Sequence, residues 1–519
     1  MSENFLHKVR DSEIFIGLVA AVGTDLNLVS EVLENELTSF NYQTKSIVIS
    51  ELISDLPRWE EEYKKFNGEE NRIDELMNLG DKIRGEAGGE ALAILSVVNI
   101  TEIRRQKGSP SSPLKKQAYV IKSLKTEEEV KFFRKLYGDA FLLISVYSPT
   151  EERRNNLAQR IADSKAVDNI EPFKAAASRL IEKDQKNTGA KFGQNVQGTF
   201  PLGDFFIRYE DKEKMRPKLA RLLELWFGHP FHTPSKEEHA MFLANTASLR
   251  SADLSRQVGA VIVDDDGNLL SMGCNEVPKA NGGCPWPEEE DIDFRDFQNG
   301  FDPSVKMKER IIAETLEKLK KAGWLNDTYE TLDVAGMVTE AIYLEDAPLK
   351  KARISSILEF GRIVHAEMNA ITDAAKRGIA TKGMFLYCTT YPCHMCARHI
   401  ISAGIKNVVF IEPYPKSMAK KLYGKMIEID SPNDRESTVN FKPFEGVAPS
   451  KYIAFFSMGG KKRKLSNGKI YNWTRAESYP QVESLSHSYL LVESAVLKEL
   501  NETEENRYKF GLTRDKLLS

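Results

Sequence analysis

Apolar residues fall into two rhythms along this chain. Short unbroken runs such as "EIFIGLVAAV" (13–22), "QAYVIKSL" (117–124) and "AFLLISVYS" (140–148) read as strands buried on both faces. Between them, "DLNLVSEVLENEL", "TEEEVKFFRKLYG" and "PTEERRNNLAQRIADS" space their apolar residues for one face of a helix, and "YQTKSIVISEL" adds another strand. Strands alternating with helices predict a parallel sheet, covered on both faces, over about 13–165. The glycine-rich "KNTGAKFGQNVQGTFPLGDF" (186–205) breaks the rhythm and reads as a loop or lid. A helix over 212–227 is expected to stop at Gly228, and the two prolines of "HPFHTPS" mark a boundary. Two units, 1–230 and 231–519, are expected.

The second unit begins with helix "SKEEHAMFLANTASLRS" and a hairpin, "QVGAVIVDDDGNLLSMG", turning at Asp266-Gly267. Residues 274–350 read as a polar insertion, acidic at its start, with its own helix "SVKMKERIIAETLEKLKKAG". A long helix is expected over 351–377, then strand "MFLYCTT", helix "CHMCARHIISAG" and strand "KNVVFIE". The remainder, 430–519, mixes short elements and ends in a charged helix.

Composition narrows the function. The chain has 519 residues, 41% hydrophobic and 29% charged, the make-up of a globular protein with more than one core. A net charge of -4 argues against a protein devoted to a nucleic-acid backbone. Five cysteines, few and odd in number, argue against a disulfide framework and for a reducing compartment. The run at 14–22 is too short to span a bilayer, so a cytoplasmic protein without a membrane partner is expected.

The chemistry concentrates in "VHAEMNAI" and "YPCHMCARHI". His365, Cys393 and Cys396 are the expected ligands of one Zn²⁺, because imidazole and thiolate suit zinc, and three protein ligands leave a fourth position for water. The two cysteines stand at i and i+3 of a helix start, with Pro392 expected in its first turn. Glu367, two residues beyond the histidine, is the expected proton shuttle; His-x-Glu with Pro-Cys-x-x-Cys is the pattern of zinc-dependent base deaminases. Tyr391, just before the proline, is a candidate wall of the base pocket by stacking, or simply a packing residue. His394 and His399 read as exposed or supporting, Cys388 as core, and Cys274 and Cys284 as structural. The run "KKRK" (461–464) reads as a solvated face or a phosphate grip.

The succession "RSADLSRQVGAVIVDDDGNLLSMGCNEVP", "HAEMNAI" and "CTTYPCHMCARHIISAGIKNVVF" resembles the deoxycytidylate deaminase branch of the cytidine deaminase superfamily. That resemblance implies a three-layer αβα unit around a mixed five-stranded sheet, and a nucleotide contact at Asn275. The whole-chain layout resembles bacterial anti-phage dCTP deaminases, which join a P-loop-kinase-like N-terminal domain to this catalytic unit. It implies an α/β fold throughout, conversion of dCTP, with dCMP a further candidate, to the uracil nucleotide, a homo-oligomer, and a regulatory partner such as an inhibitory RNA or a phage-triggered signal. The P-loop itself departs from the pattern: from position 20 the chain has Ala20, Asp25, Leu26 and Asn27 where Gly, Gly, Lys and Ser/Thr belong. Gly17, Gly23 and Thr24 remain as candidates to meet a nucleotide through a loop and helix start, with the domain acting as sensor or scaffold. A nucleic-acid base deaminase, on RNA or single-stranded DNA, and a catalytically silent nucleotide sensor are the alternatives.

Overall fold

The computed structural model describes residues 11–512 except 60–67, 111, 186, 188–191, 290–294, 345, 351, 358–359, 413–416, 432–434, 436, 460 and 483–487. The described residues build two six-stranded sheets. The first lobe contributes β1 (Ile14–Ala20), β2 (Gln43–Val48), β3 (Gln117–Lys122), β4 (Phe141–Tyr147) and β5 (Phe205–Arg208). The second contributes β6 (Gly259–Val263), β7 (Leu269–Cys274), β8 (Phe385–Cys388), β9 (Asn407–Phe410), β10 (Ile427–Ile429) and β11 (Val439–Pro443), and a last short strand, β12 (Gly446–Val447), follows.

The strand order of the first sheet is β12-β5-β4-β1-β3-β2, parallel from β5 to β2. Every residue of β1 and β4 is buried, as unbroken apolar runs require in a sheet with helices on both faces. Helix Glu127–Tyr137 starts where the sequence marks it: Thr126 Oγ1 accepts from the Glu129 amide, and the Glu129 carboxylate accepts from the Thr126 amide. Helix Lys236–Ser248 opens with the same reciprocal cap from Ser235 and Glu238. The loop-or-lid expectation for 186–205 fails in its second half. Residues 186 and 188–191 lie outside the described residues, but Val196, Thr199 and Phe200 are core and β5 begins at Phe205.

The second sheet, β10-β11-β9-β8-β6-β7, is parallel from β10 to β8 and antiparallel across β8, β6 and β7. It has six strands rather than the expected five, the three-residue β10 being added at the edge. The long helix expected over 351–377 is also corrected. Residues 353–356 form a 3-10 turn, Val364 pairs with Glu276 in an isolated bridge, and the helix runs only Ala366–Lys376. It lies close on β7: a Cβ on Gly273 would come 2.4 Å from the Ala366 carbonyl oxygen and 2.5 Å from the Ala370 nitrogen. The insertion carries helices Pro303–Lys321 and Val334–Ile342 on a small core of Ile312, Val338 and Ala341. No helix among the described residues is long and apolar enough to cross a membrane.

Residues beyond 430 were expected to stay with the second unit; β11 does, but β12 and helix Ser488–Glu502 join the first lobe. β12 pairs antiparallel with β5, closing the edge of the first sheet. Helix Ser488–Glu502 packs on the first lobe through a buried ionic cluster. Arg104, wholly buried, donates to Glu13 at 2.8–3.1 Å and to Glu493. The hydroxyls of Tyr119 and Tyr489 donate to Glu13 at 3.1 and 2.7 Å, and that of Tyr137 to Glu493 at 2.8 Å. The reason is energetic: a buried guanidinium needs carboxylates, and one of them, Glu493, comes from far along the chain.

A second tie joins Arg475 to helix Lys212–Trp226: its guanidinium donates to Glu224 at 2.7 and 2.9 Å and to Glu36 at 2.9 Å, while His232 holds the other Glu224 oxygen. Burial works against ionising Glu224, but the bonds from His232 and Arg475 prevail and hold it down at about 2. A carboxyl depressed in the folded state stabilises it above the unfolded value and loses that contribution as pH falls. The apparent melting temperature should therefore drop between about pH 4.5 and 2 with a component that Glu224→Gln removes. Equal acid sensitivity of variant and wild type would refute the assignment.

Candidate active site

The helix Ala366–Lys376 and the helix His394–Ser402 both begin at one cavity, with His365, Glu367 and Cys393 in its wall. His365 is the N-cap of the first and Cys393 the N-cap of the second, whose Sγ accepts from the Cys396 amide at 3.5 Å. Pro392 therefore precedes the cap rather than sitting in the first turn, because the Cys393 sulfur takes the capping role. His365 Nδ1 lies 3.4 Å from Cys393 Sγ and 3.3 Å from Cys396 Sγ, and all three donor atoms lie within 4.8 Å of one another. Two sulfurs and an imidazole nitrogen converging this closely fit a tetrahedral zinc with one position left open.

Glu367 is buried, with Oε2 3.4 Å from Cys396 Sγ. Burial pushes its carboxyl above the ordinary value. Between the two thiols, the hydrogen bonds from Cys396 and His365 hold Cys393 down at about 3 despite burial, whereas Cys396, giving that bond and more deeply buried, is pushed up. The hydrogen bond to Cys393 raises His365.

The cavity in front of these residues has a volume of about 310 Å³ and includes His365, Glu367 and Cys393 in its wall. Asn275 and Tyr391 also reach it. Asn275 spends both ends of its side chain on the neighbouring loop, accepting from the Val258 amide at 2.6 Å and donating to the Arg256 carbonyl at 2.8 Å. Its observed work is to shape the 256–258 segment. Tyr391 packs against Phe410 and Phe441, with ring centroids 4.7 and 5.5 Å away, and its buried hydroxyl has no partner among the described residues.

Sequence reasoning missed the cations of this wall, Arg256, Lys308 and Arg362. Arg256 was in view within "SRQVGA", and Arg362 stands three residues before His365, but neither carries a spacing signal. Lys308 comes from the insertion, and only the fold brings it here. His394 and His399 do not join the ligand cluster. Cys388 is core, and Cys274 and Cys284 lie with their sulfurs 4.0 Å apart, outside the His365 donor cluster. The 461–464 run is mostly exposed, with Arg463 donating to the Pro230 carbonyl.

The three candidates of the first lobe separate. Gly23, at φ 92°, and Thr24 border a second cavity of about 190 Å³ at the ends of β1 and β3. Gly17 does not reach it. It sits inside β1, where a Cβ would come 2.7 Å from Leu124 and 2.8 Å from Phe141, so its role there is packing.

Residues 234–412 match the family described as the cytidine and deoxycytidylate deaminase zinc-binding region. Over 53 residues the chain is 51% identical to ComE operon protein 2 of Bacillus subtilis, a stretch covering 10% of this chain and only 28% of that protein. It is 27% identical over 187 residues to the deoxycytidylate deaminase of Enterobacteria phage T4, covering 35% of this chain and 80% of the phage protein. With the human deoxycytidylate deaminase it shares 25% over 174 residues, 34% of this chain and 63% of the human protein. Residues 234–412 are thus similar to the zinc-binding region of cytidine and deoxycytidylate deaminases, and the donor set His365, Cys393 and Cys396 lies within that matched segment.

Proposed function

We propose that the protein hydrolyses the exocyclic amine of free deoxycytidine nucleotides, dCTP with dCMP as a further candidate, to give deoxyuridine nucleotides and ammonia. One observation carries this reading: a buried carboxylate, Glu367, stands beside a His-Cys-Cys donor set at the floor of a cavity large enough for a base. Zinc held by His365, Cys393 and Cys396 would supply Lewis acidity, making water ionisable near neutral pH. Glu367 takes the proton that water gives up and passes it to the ring nitrogen, then helps the amine leave. In the balance, a C4–O bond forms, the C4–N bond breaks, and the protons end on ammonia and the uracil ring. Tyr391 walls the site, and Asn275 holds the 256–258 loop in the shape that admits the base.

The resemblance of the whole-chain layout supports dCTP as the physiological substrate and depletion of dCTP during phage infection as the purpose. The same resemblance supports a homo-oligomer and a regulatory partner that keeps the enzyme silent before infection. The first lobe, without a P-loop lysine, serves as sensor or scaffold, with Gly23 and Thr24 at its cavity.

The deciding experiment is ammonia release by full-length, zinc-quantified protein from dCTP, dCMP, CTP and a cytosine-containing single strand. Turnover of the deoxynucleotides and none of the strand is expected. Turnover of the strand alone would move the protein to nucleic-acid editing, and one zinc per chain with no turnover of any substrate would leave a sensor.

A further inference from the structure

The insertion reaches into the catalytic cavity. Asp302, Ser304 and Lys308, at the start of helix Pro303–Lys321, share its wall with Arg256 and Arg362. The carboxylates of this wall are already engaged. Asp296 holds Arg362 at 2.6 Å, Asp302 accepts from the Ser304 amide at 2.8 Å, and Asp253 accepts from the amides of Ser255 and Arg256 at 2.8 and 3.1 Å.

Two of the cations are not balanced in this way. Lys308, half-buried, makes no ion pair or hydrogen bond among the described residues. Among the described residues the Arg256 guanidinium approaches only the Glu412 carboxylate, at 3.9 Å, and it is largely exposed. An ammonium turned into a half-enclosed cavity without an anion loses hydration and gains nothing for it, unless a ligand brings the anion. The base end of the cavity is fixed by His365 and Glu367, so the anion expected at the cationic end is the phosphate chain of the same nucleotide.

Resting on the deaminase reading, we infer that Lys308, together with Arg256, receives the phosphates beyond the first of a deoxycytidine triphosphate, so that the insertion makes the enzyme selective for the triphosphate over the monophosphate. A monophosphate has no group to meet Lys308. The insertion is thus a specificity element rather than a surface appendage. It also narrows the approach to the cavity, which favours a free nucleotide over a strand that must continue in both directions.

The test is the ratio of kcat/KM for dCTP to that for dCMP in the wild type and in Lys308→Ala, with Lys308→Arg as the conservative variant and zinc content measured in each. A charge-assisted hydrogen bond contributes about 1.5–3 kcal/mol, so the ratio should fall roughly 10- to 100-fold in Lys308→Ala. Lys308→Arg should recover much of it. A general loss of structure would lower both substrates together and leave the ratio where it was, which would overturn the inference.

The same ratio can be read without turnover, as calorimetric affinities for dCTP and dCMP in a Glu367→Gln background. A dCTP preference lost with Lys308 upholds the inference even if ammonia release fails and the deaminase reading falls. An unmoved ratio, no binding of either nucleotide, or a Lys308 effect seen only on a cytosine-containing single strand would each overturn it.

Discussion

Glu367→Gln should abolish most turnover while leaving the protein folded and loaded with zinc. Glutamine keeps the shape of the side chain but cannot take up and return a proton. Transfer of this kind is worth about 10²–10⁴ in rate, and a loss near the middle of that range is expected in kcat. The carboxylate is not one of the three donors, so metal content should stay at the wild-type level. His365→Ala separates the two roles, since it should lose zinc and activity together. Steady-state ammonia release beside metal analysis checks both. Turnover within a few-fold of wild type in Glu367→Gln would refute the proton-shuttle role.

The other large effect is on stability. Arg104→Ala leaves Glu13 and Glu493 facing one another in the core with no cation. Removing one partner of a buried ionic set costs about 3–5 kcal/mol, chiefly because the remaining charge is stranded. The apparent melting temperature should fall by several degrees, and helix Ser488–Glu502 should become sensitive to proteolysis. The variant should recover part of its stability near pH 5. Burial already raises the Glu493 carboxyl, and a group raised in the folded state stabilises below its unfolded value and loses that as pH rises. Replacing Arg104, Glu13 and Glu493 together by apolar residues of similar volume should cost much less than Arg104→Ala alone. Thermal scans of these variants at pH 5 and 8 decide the matter. Equal losses in the single and the triple variant would mean that packing, not charge, holds the helix.

The parts of this molecule that could be read from the chain are those written in local code. β1 and β4 are unbroken apolar runs, the Thr126 and Ser235 caps announce their helices, and Asp266-Gly267 announces the hairpin. The candidate donor set His365, Cys393 and Cys396 was legible because few residue types suit zinc and their spacing follows the helix starts that carry them. The rest depended on partners far away in sequence. β5 is four residues long and exists because β4 and β12 flank it. The stretch before Ala366 was expected to be helical, but Val364 pairs with Glu276 instead, which keeps the backbone extended up to His365. Arg104 and Glu493 stand 389 positions apart, and nothing local to either forecasts the other. Lys308 is an ordinary lysine on a charged helix until the fold turns it toward Glu367's cavity.

The return of β12 and helix Ser488–Glu502 to the first lobe sets an order of events on the ribosome. The strands β1 to β5 cannot complete their sheet until β12 is made, and Arg104 cannot find its second carboxylate until Glu493 has been synthesised. At 5–20 residues per second that wait is on the order of tens of seconds, long enough for an open sheet edge and a charged, half-built core to need shelter. Nascent chains stalled just after helix His394–Ser402 should therefore stay bound to chaperones, and synthesis through helix Ser488–Glu502 should release them.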